Sequence, residues 1–306
     1  MSELRQALTD YLRVRRALGY KLAEDERSLQ QFISYLEQAG ETTIRAEVAL
    51  RWATSPEGTS PGWWSRRLTV IRGLATYLQT IDPEVEVPPP LPGRSVRATP
   101  YLYSEAEIAA LIKAAETLAS PLAISTYQTL IGLLAVSGIR VGEAVAADRD
   151  DLDLAGGVLV VKHGKFDKSR ALPLHATTTA ALGDYLELRD QLHPRPKTPA
   201  LFISTVGTRL HYENVHLKFQ RFARLAGIRA RSANCRPRIH DLRHSFAVRT
   251  LLSWYRDGDD VQSRLPLLST YMGHVHPADT YWYLSAAPEL LALAGERLER
   301  HLGGTS

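Results

Sequence analysis

Between Pro83 and Pro100 the chain places six of its 17 prolines, among them the run Pro88-Pro89-Pro90. Proline lacks the backbone N–H that a helix or sheet interior needs, and a cluster of prolines holds the chain extended and semi-rigid. Such a segment predicts an interdomain linker over residues 83–100, separating a segment 1–82 from a segment 101–306. A chain of 306 residues is long enough for two cores of ordinary size. With 44% hydrophobic and 23% charged residues it has the apolar material to build them, which excludes a disordered chain.

The first segment reads as several short amphipathic helices. Leu4, Leu8, Tyr11 and Leu12 recur at helical spacing, as do Leu29, Phe32, Ile33 and Leu36. A third stripe is Trp64, Leu68, Ile71, Ala75 and Leu78, with Arg66, Arg67 and Arg72 off that face. These three arginines, with Arg94 and Arg97 of the linker, are candidate phosphate contacts. The second segment opens on Ser104-Glu105-Ala106-Glu107, which fits a capping box at the start of a helix. Residues Thr117 to Ile139 carry no formal charge. Pro121, Gln128, Gly132, Gly138 and several hydroxyls make this a helix buried at the centre of a domain rather than a membrane span. Val158–Val161 and Ala171–Leu174 are short β-prone runs joined by a polar, basic stretch, a pattern that predicts a hairpin on a helical body. Leu201–Ile203 is expected to add a short strand. Residues 177–192, 212–226, 240–256, 261–272 and 288–300 read as further helices, so the fold class is mainly α with a small β element.

The net charge of +4 is modest, but eight arginines and one acid, Asp241, lie between Arg221 and Arg249. That local excess, which includes Arg236 and Arg238, suits a phosphate-rich partner and a solvated basic surface about equally. The single cysteine, Cys235, excludes an intrachain disulfide and a cysteine-built metal site, and fits a reducing cytoplasm. The first sixteen residues alternate charged and apolar side chains, with no signal-peptide core and no membrane anchor expected.

Three short elements carry chemistry. In His240-Asp241-Leu242-Arg243-His244, helical spacing puts His240, Arg243 and His244 on one face. The pattern resembles a zinc-binding helix, but a guanidinium there would repel a dication and would clamp a phosphate. Along Met272-Gly273-His274-Val275-His276-Pro277-Ala278-Asp279-Thr280-Tyr281-Trp282-Tyr283, nine residues separate His274 from Tyr283. On one unbroken helix those two would face apart; a break at Gly273–Pro277 lets both turn to one site. The aromatic trio 281–283 also suits ordinary core packing. Ser137-Gly138-Ile139-Arg140-Val141-Gly142-Glu143 delivers an arginine at the end of the buried helix, where an Arg140–Glu143 pair three residues apart is equally natural.

Taken together these elements resemble the tyrosine recombinase, or phage integrase, family. Its arginine box is matched by Ser137 to Glu143. Its hairpin pattern, G-K-x-x-K-x-R-x-x-P-L, is matched by Gly164 to Leu174. Its H-x-L-R-H box is matched by His240 to His244, and its final histidine and tyrosine by His274 and Tyr283 with Thr280 before the tyrosine. Met272 stands where leucine is usual, and Phe166-Asp167 where Gly-Asn is frequent.

The resemblance implies a helical, SAM-like core-binding domain over 1–82 and a mostly helical catalytic domain over 101–306. It implies a site-specific recombinase that cleaves and rejoins duplex DNA through a 3′-phosphotyrosine, with no metal, ATP or other cofactor. Tyr283 is then the nucleophile. A free phenol has a pKa of roughly 10 and benefits from a base, for which His240 is the candidate. Arg140 and Arg243 clamp the phosphate, and His274 donates a further hydrogen bond. Lys165 protonates the leaving 5′ oxygen, with Lys168 as the alternative. Glu143 and His244 support the site. The expected partners are DNA recombination sites and further copies of the chain, a tetramer on DNA, with the segment Leu290, Leu291, Leu293, Ala294 and Leu298 docking on a neighbour or on its own domain. Three rivals remain: a topoisomerase of type IB, a non-catalytic DNA-binding relative, and a metallohydrolase built on His240, His244, His274 and His276.

Overall fold

The computed structural model describes residues 2–299 apart from 21, 56–57, 92–97, 163–168, 275, 277, 287–289, 291, 293–294 and 296–298. Arg94, Arg97, Lys165 and Lys168 therefore lie outside the described residues, as do Pro277 and most of the segment expected to form a helix over 288–300. Two compact units emerge, Met1–Arg97 and Ala98–Ser306.

The first unit contains helices α1 (Glu3–Ala17), α2 (Ala23–Gln38), α3 (Ala46–Thr54) and α4 (Pro61–Gln79). Ser2 and Ser60 cap α1 and α4 by accepting the Arg5 and Trp63 backbone N–H groups, and Pro61 follows at the first helical position, where a missing N–H costs nothing. The predicted stripes close one core, with Phe32, Ile33, Leu36, Leu68, Ile71 and Leu74 inaccessible to solvent. Burial stabilises each such side chain by about 1.5–3 kcal/mol relative to exposure.

Two expectations change here. Arg67 does not stand off the apolar face of α4: it is 8% exposed, with its guanidinium 3.4 Å from the ring centre of Trp52 and 4.6 Å from that of Trp63. The proline-rich stretch is not free of the core along its whole length either. Val85 is buried among the helices, Val87 and Leu91 pack beside it, the Glu86 N–H donates to the Ile44 carbonyl, and Arg72 donates to the Pro88 carbonyl. Prolines remove donors but leave carbonyls, and the apolar residues between them are enough to seat the strand-like chain.

The second unit is mostly helical, with one small antiparallel sheet. Its helices are α5 (Glu105–Ala114), α6 (Pro121–Ser137), α7 (Val141–Ala146), α8 (Ala176–Leu192), α9 (Tyr212–Leu225), α10 (Asp241–Arg256), α11 (Val261–Met272) and α12 (Ala278–Ala286). Helix α5 opens with the predicted capping box, Ser104 and Glu107 bonding reciprocally. The uncharged α6 is the central helix, packed against α5, α8 and α10. Among the described residues no helix is long and apolar enough to cross a membrane.

Strands β1 (Leu152–Asp153), β2 (Val158–Val161) and β3 (Arg170–Pro173) form the sheet in that order, with Val161 opposite Arg170. Strand β1 was not expected. The strand expected at Leu201–Ile203 does not form: those residues are fully buried and lie between isolated bridges from Ala200 to Asp148 and from Ile203 to Arg209. A β-prone apolar run has become core packing without a partner long enough for a ladder. A second cluster, from Ala247 to Leu290, joins α10, α11 and α12 and includes Tyr283.

Candidate active site

Two glycines shape the site. Gly138 ends α6 in the left-handed region (φ +60°), and a Cβ there would lie 2.4 Å from the Phe246 ring. The chain then turns sharply, so that Arg140 caps the N-terminus of α7 and Glu143 reaches back to accept the Arg140 backbone N–H at 3.1 Å. Gly273 ends α11 in the same conformation (φ +68°), and α12 starts at Ala278, so the chain breaks between His274 and Tyr283 as the spacing predicts.

The last carbonyls of α11 collect three guanidinium groups. Arg170 donates to the Tyr271 carbonyl at 2.9 Å, Arg243 to the Met272 carbonyl at 2.6 Å, and Arg140 to the Gly273 carbonyl at 2.9 Å. A helix C-terminus presents unpaired carbonyls and a partial negative charge, so it attracts cations and fixes their direction. Arg243 also donates to the Gly138 carbonyl at 2.6 Å, which ties α10 to both glycine-ended helices. Burial, reinforced by the neighbouring Arg140 charge, pushes the Arg243 guanidinium down to about 10, so it stays charged at neutral pH.

Glu143 is the one described carboxylate held between two of these arginines. Arg170 forks onto both of its oxygens (3.1 and 2.8 Å) and Arg140 donates to Oε1 at 2.8 Å. Burial alone would raise its pKa, but the hydrogen bonds and charge of Arg170, then the side-chain and backbone hydrogen bonds of Arg140, prevail and hold it down at about 2.

The aromatic side of the site is built by α10 and α12. His240 caps α10 and is exposed; its ring meets that of His244 edge-on at 4.9 Å. Asp241, fully buried, accepts two hydrogen bonds from the Arg238 guanidinium (3.0 and 2.8 Å), which pins the start of the helix. Tyr283 is 3% exposed, with ring-centre distances of 5.3 Å to His244, 5.9 Å to His274 and 5.6 Å to Trp282. Tyr281, two residues earlier, is 53% exposed. His274 Nδ1 lies 2.6 Å from the Thr280 hydroxyl. Burial, followed by the charges of Arg243 and Arg140, pushes the His274 imidazole down to about 4, so it is neutral at pH 7.

The structure thus gathers Arg140, Glu143, His240, Arg243, His244, His274 and Tyr283 around one end of α11. Lys165 and Lys168 belong to the β2–β3 connection outside the described residues. Arg66 pairs with Glu24 on the surface of the first unit, Arg236 donates to the Ala233 carbonyl, and Arg238 is committed to Asp241. Two participants went unassigned at the level of sequence. Arg170 is the arginine of the hairpin pattern, and Trp282, which packs on His244 at 5.3 Å, belongs to the aromatic trio that also suits core packing. Among the described residues no three His, Cys, Asp or Glu side chains are grouped to hold a metal ion.

Residues 102–289 match the phage integrase family. The chain is 44% identical over 310 residues to the putative integrase/recombinase y4rB of Sinorhizobium fredii (strain NBRC 101917 / NGR234), covering 98% of each. It is 29% identical over 297 residues to the tyrosine recombinase XerD of Listeria monocytogenes serovar 1/2a, covering 92% of this chain and 94% of the relative. Among solved structures it resembles the XerH site-specific recombinase bound to palindromic difH substrate in a post-cleavage complex (22% identity, 90% of this chain and 77% of that one, TM-score 0.62). It also resembles the Tn1549 transposon integrase in complex with transposon right end DNA (16% identity, 95% and 99%, TM-score 0.61). These structural likenesses establish the fold. The chain belongs to the phage integrase family, and it is a site-specific recombinase of the tyrosine type, an enzyme of DNA strand breakage and rejoining.

Proposed function

We propose that Tyr283 attacks the scissile phosphate to form a 3′-phosphotyrosine and release a 5′ hydroxyl. The observation that carries this reading is the packing of the Tyr283 ring against His244 and His274 beside Arg243, while Tyr281 points to solvent. Arg140 and Arg243 neutralise the non-bridging oxygens; their carbonyl partners leave further N–H groups on each guanidinium for the phosphate. His274 is neutral, and with Nδ1 engaged by Thr280 its Nε2 is the atom that would donate to phosphate. His240, exposed at the edge of the ring cluster, takes the phenolic proton; His244, set between His240 and Tyr283, orients both. Lys165, or its neighbour Lys168, supplies the proton for the 5′ oxygen. The energy of the broken diester is kept in the phosphotyrosine, so a 5′ hydroxyl from another duplex reverses the step with no metal or ATP.

Residues 1–82 would serve as the core-binding domain, with Arg66, Arg72 and the linker residues Arg94 and Arg97 nearest to DNA, and Arg236 and Arg238 on the catalytic side. Each active site cuts one strand, so exchange needs several copies, and a tetramer on two duplex sites in the cytoplasm fits that requirement. The likenesses to recombinases solved in complex with DNA support a DNA partner. The test is Tyr283→Phe on a nicked suicide substrate: covalent trapping is abolished while DNA binding stays intact. Trapping that survives and maps to Tyr281 would overturn the assignment.

A further inference from the structure

Arg170 opens β3 beside the lysine-bearing connection, yet every one of its three nitrogens is committed to protein. Its side chain is 12% exposed. Nε donates to the Tyr271 carbonyl, and the two terminal nitrogens fork onto Glu143. Its guanidinium is close against the end of α11, where a Cβ on Gly273 would come within 2.6 Å of it.

We propose that Arg170 is a positioning residue for DNA cleavage: by occupying both oxygens of Glu143 and anchoring the end of α11, it keeps Arg140 directed at the scissile phosphate. The inference rests on the phosphate-clamp reading of Arg140 and concerns a residue that does not itself touch the phosphate. The physical cause is competition. A carboxylate favours a bidentate pair with one guanidinium. Left alone with Arg140, Glu143 would draw that arginine into such a pair and away from DNA. With Arg170 forked on it, Glu143 offers the Arg140 side chain a single bond, through Oε1, while its Oε2 also holds the Arg140 backbone N–H. The second terminal nitrogen of Arg140 then lies along the Gly273 carbonyl. Charge works in the same direction: Arg170 balances the buried Glu143, so the charge of Arg140 is left for the substrate.

The experiment follows covalent trapping on nicked suicide duplexes whose scissile linkage is either the natural phosphodiester or an uncharged methylphosphonate. The uncharged linkage has little need of a charged clamp, so Arg140→Ala serves as the reference and should recover on it. Arg170→Lys keeps a cation but loses the fork, and should slow diester cleavage roughly 100-fold through misplacement of the clamp. DNA affinity should be unchanged, and most of the loss should disappear on the methylphosphonate. Adding Glu143→Gln to Arg170→Met should restore part of the diester rate, because the competitor for Arg140 is gone; this pair also serves if Arg170→Lys does not fold.

Diester cleavage by Arg170→Lys at the parental rate overturns the proposal. So does an equal loss on both substrates while Arg140→Ala recovers. Failure of Arg140→Ala itself to recover instead refutes the clamp reading. The proposal falls with that reading; where Arg140→Ala does recover, the absence of a gain by the double substitution over Arg170→Met overturns the proposal.

Discussion

Arg67 in the first unit and Arg243 in the second are both hidden from solvent, 8% and 3% exposed, and burial lowers the pKa of both. Their surroundings are opposite in kind. Arg67 lies between the indole faces of Trp52 and Trp63, which stabilise a cation through its flat face and ask nothing of its N–H groups. Arg243 is held edge-on by the carbonyls of Gly138 and Met272, which fix its plane and aim its remaining donors. One environment makes an arginine into core; the other makes it into a tool for an anion. Solvent exposure alone does not distinguish the two, whereas the type of neighbour does.

The sharpest way to break this contrast is Arg243→Ala. Removing a preorganised cation from the transition state should slow covalent trapping about 1000-fold, and Arg243→Lys should not restore it, because an ammonium on a flexible stem cannot reproduce the fork between two carbonyls. Single-turnover trapping on the suicide substrate reads both. A loss of less than tenfold would mean that the carbonyl-held arginine is as structural as Arg67.

Arg67→Ala is the complementary experiment and the next largest effect. Loss of the cation–π stack and of the packed stem should lower the free energy of unfolding by about 2 kcal/mol, measured in urea, while trapping per folded molecule is unchanged. Equal impairment of trapping would place Arg67 with the working arginines and dissolve the distinction.

The sequence treated the two arginines unequally for the right reason in only one case. Arg243 was legible because His240 and His244 flank it at helical spacing and because three distant boxes agreed with it. Arg67 was read from the Trp64–Leu78 stripe as standing off the apolar face, but the buried face of α4 is wider than that stripe and includes Leu74 and Arg67 itself. A helical wheel places a side chain by angle and cannot register that two tryptophans, one of them on another helix, will close over it. The arginine rack at the end of α11 was hidden for a similar reason. Its acceptors are backbone carbonyls, which every residue carries and no motif records. Helix positions and the break at Gly273 were readable from capping and turn chemistry; the end of α6 at Gly138, the short β1 and the ladderless 201–203 stretch were not.

The smallest expected effect concerns His274, which shares the arginine-rich side of the comparison. In the unfolded chain its imidazole takes a proton near pH 6.5, and in the folded site only near 4, since burial and the charges of Arg243 and Arg140 oppose it. Between those values the unfolded state binds the extra proton, so this contribution to stability is complete above pH 6.5 and is lost as pH falls towards 4. Glu143, held at about 2 against an ordinary 4.5, contributes in the same sense but in a lower window, from 4.5 down to 2. Urea unfolding from pH 7.5 to 5 therefore isolates the histidine from the carboxylate. Because His274 is only partly buried, solvent screening reduces the loss over that range to about 1 kcal/mol. His274→Asn should remove that slope, leaving a stability difference from the parent that shrinks as pH falls. A difference independent of pH would mean that neither burial nor the two arginine charges depress the imidazole in the folded site.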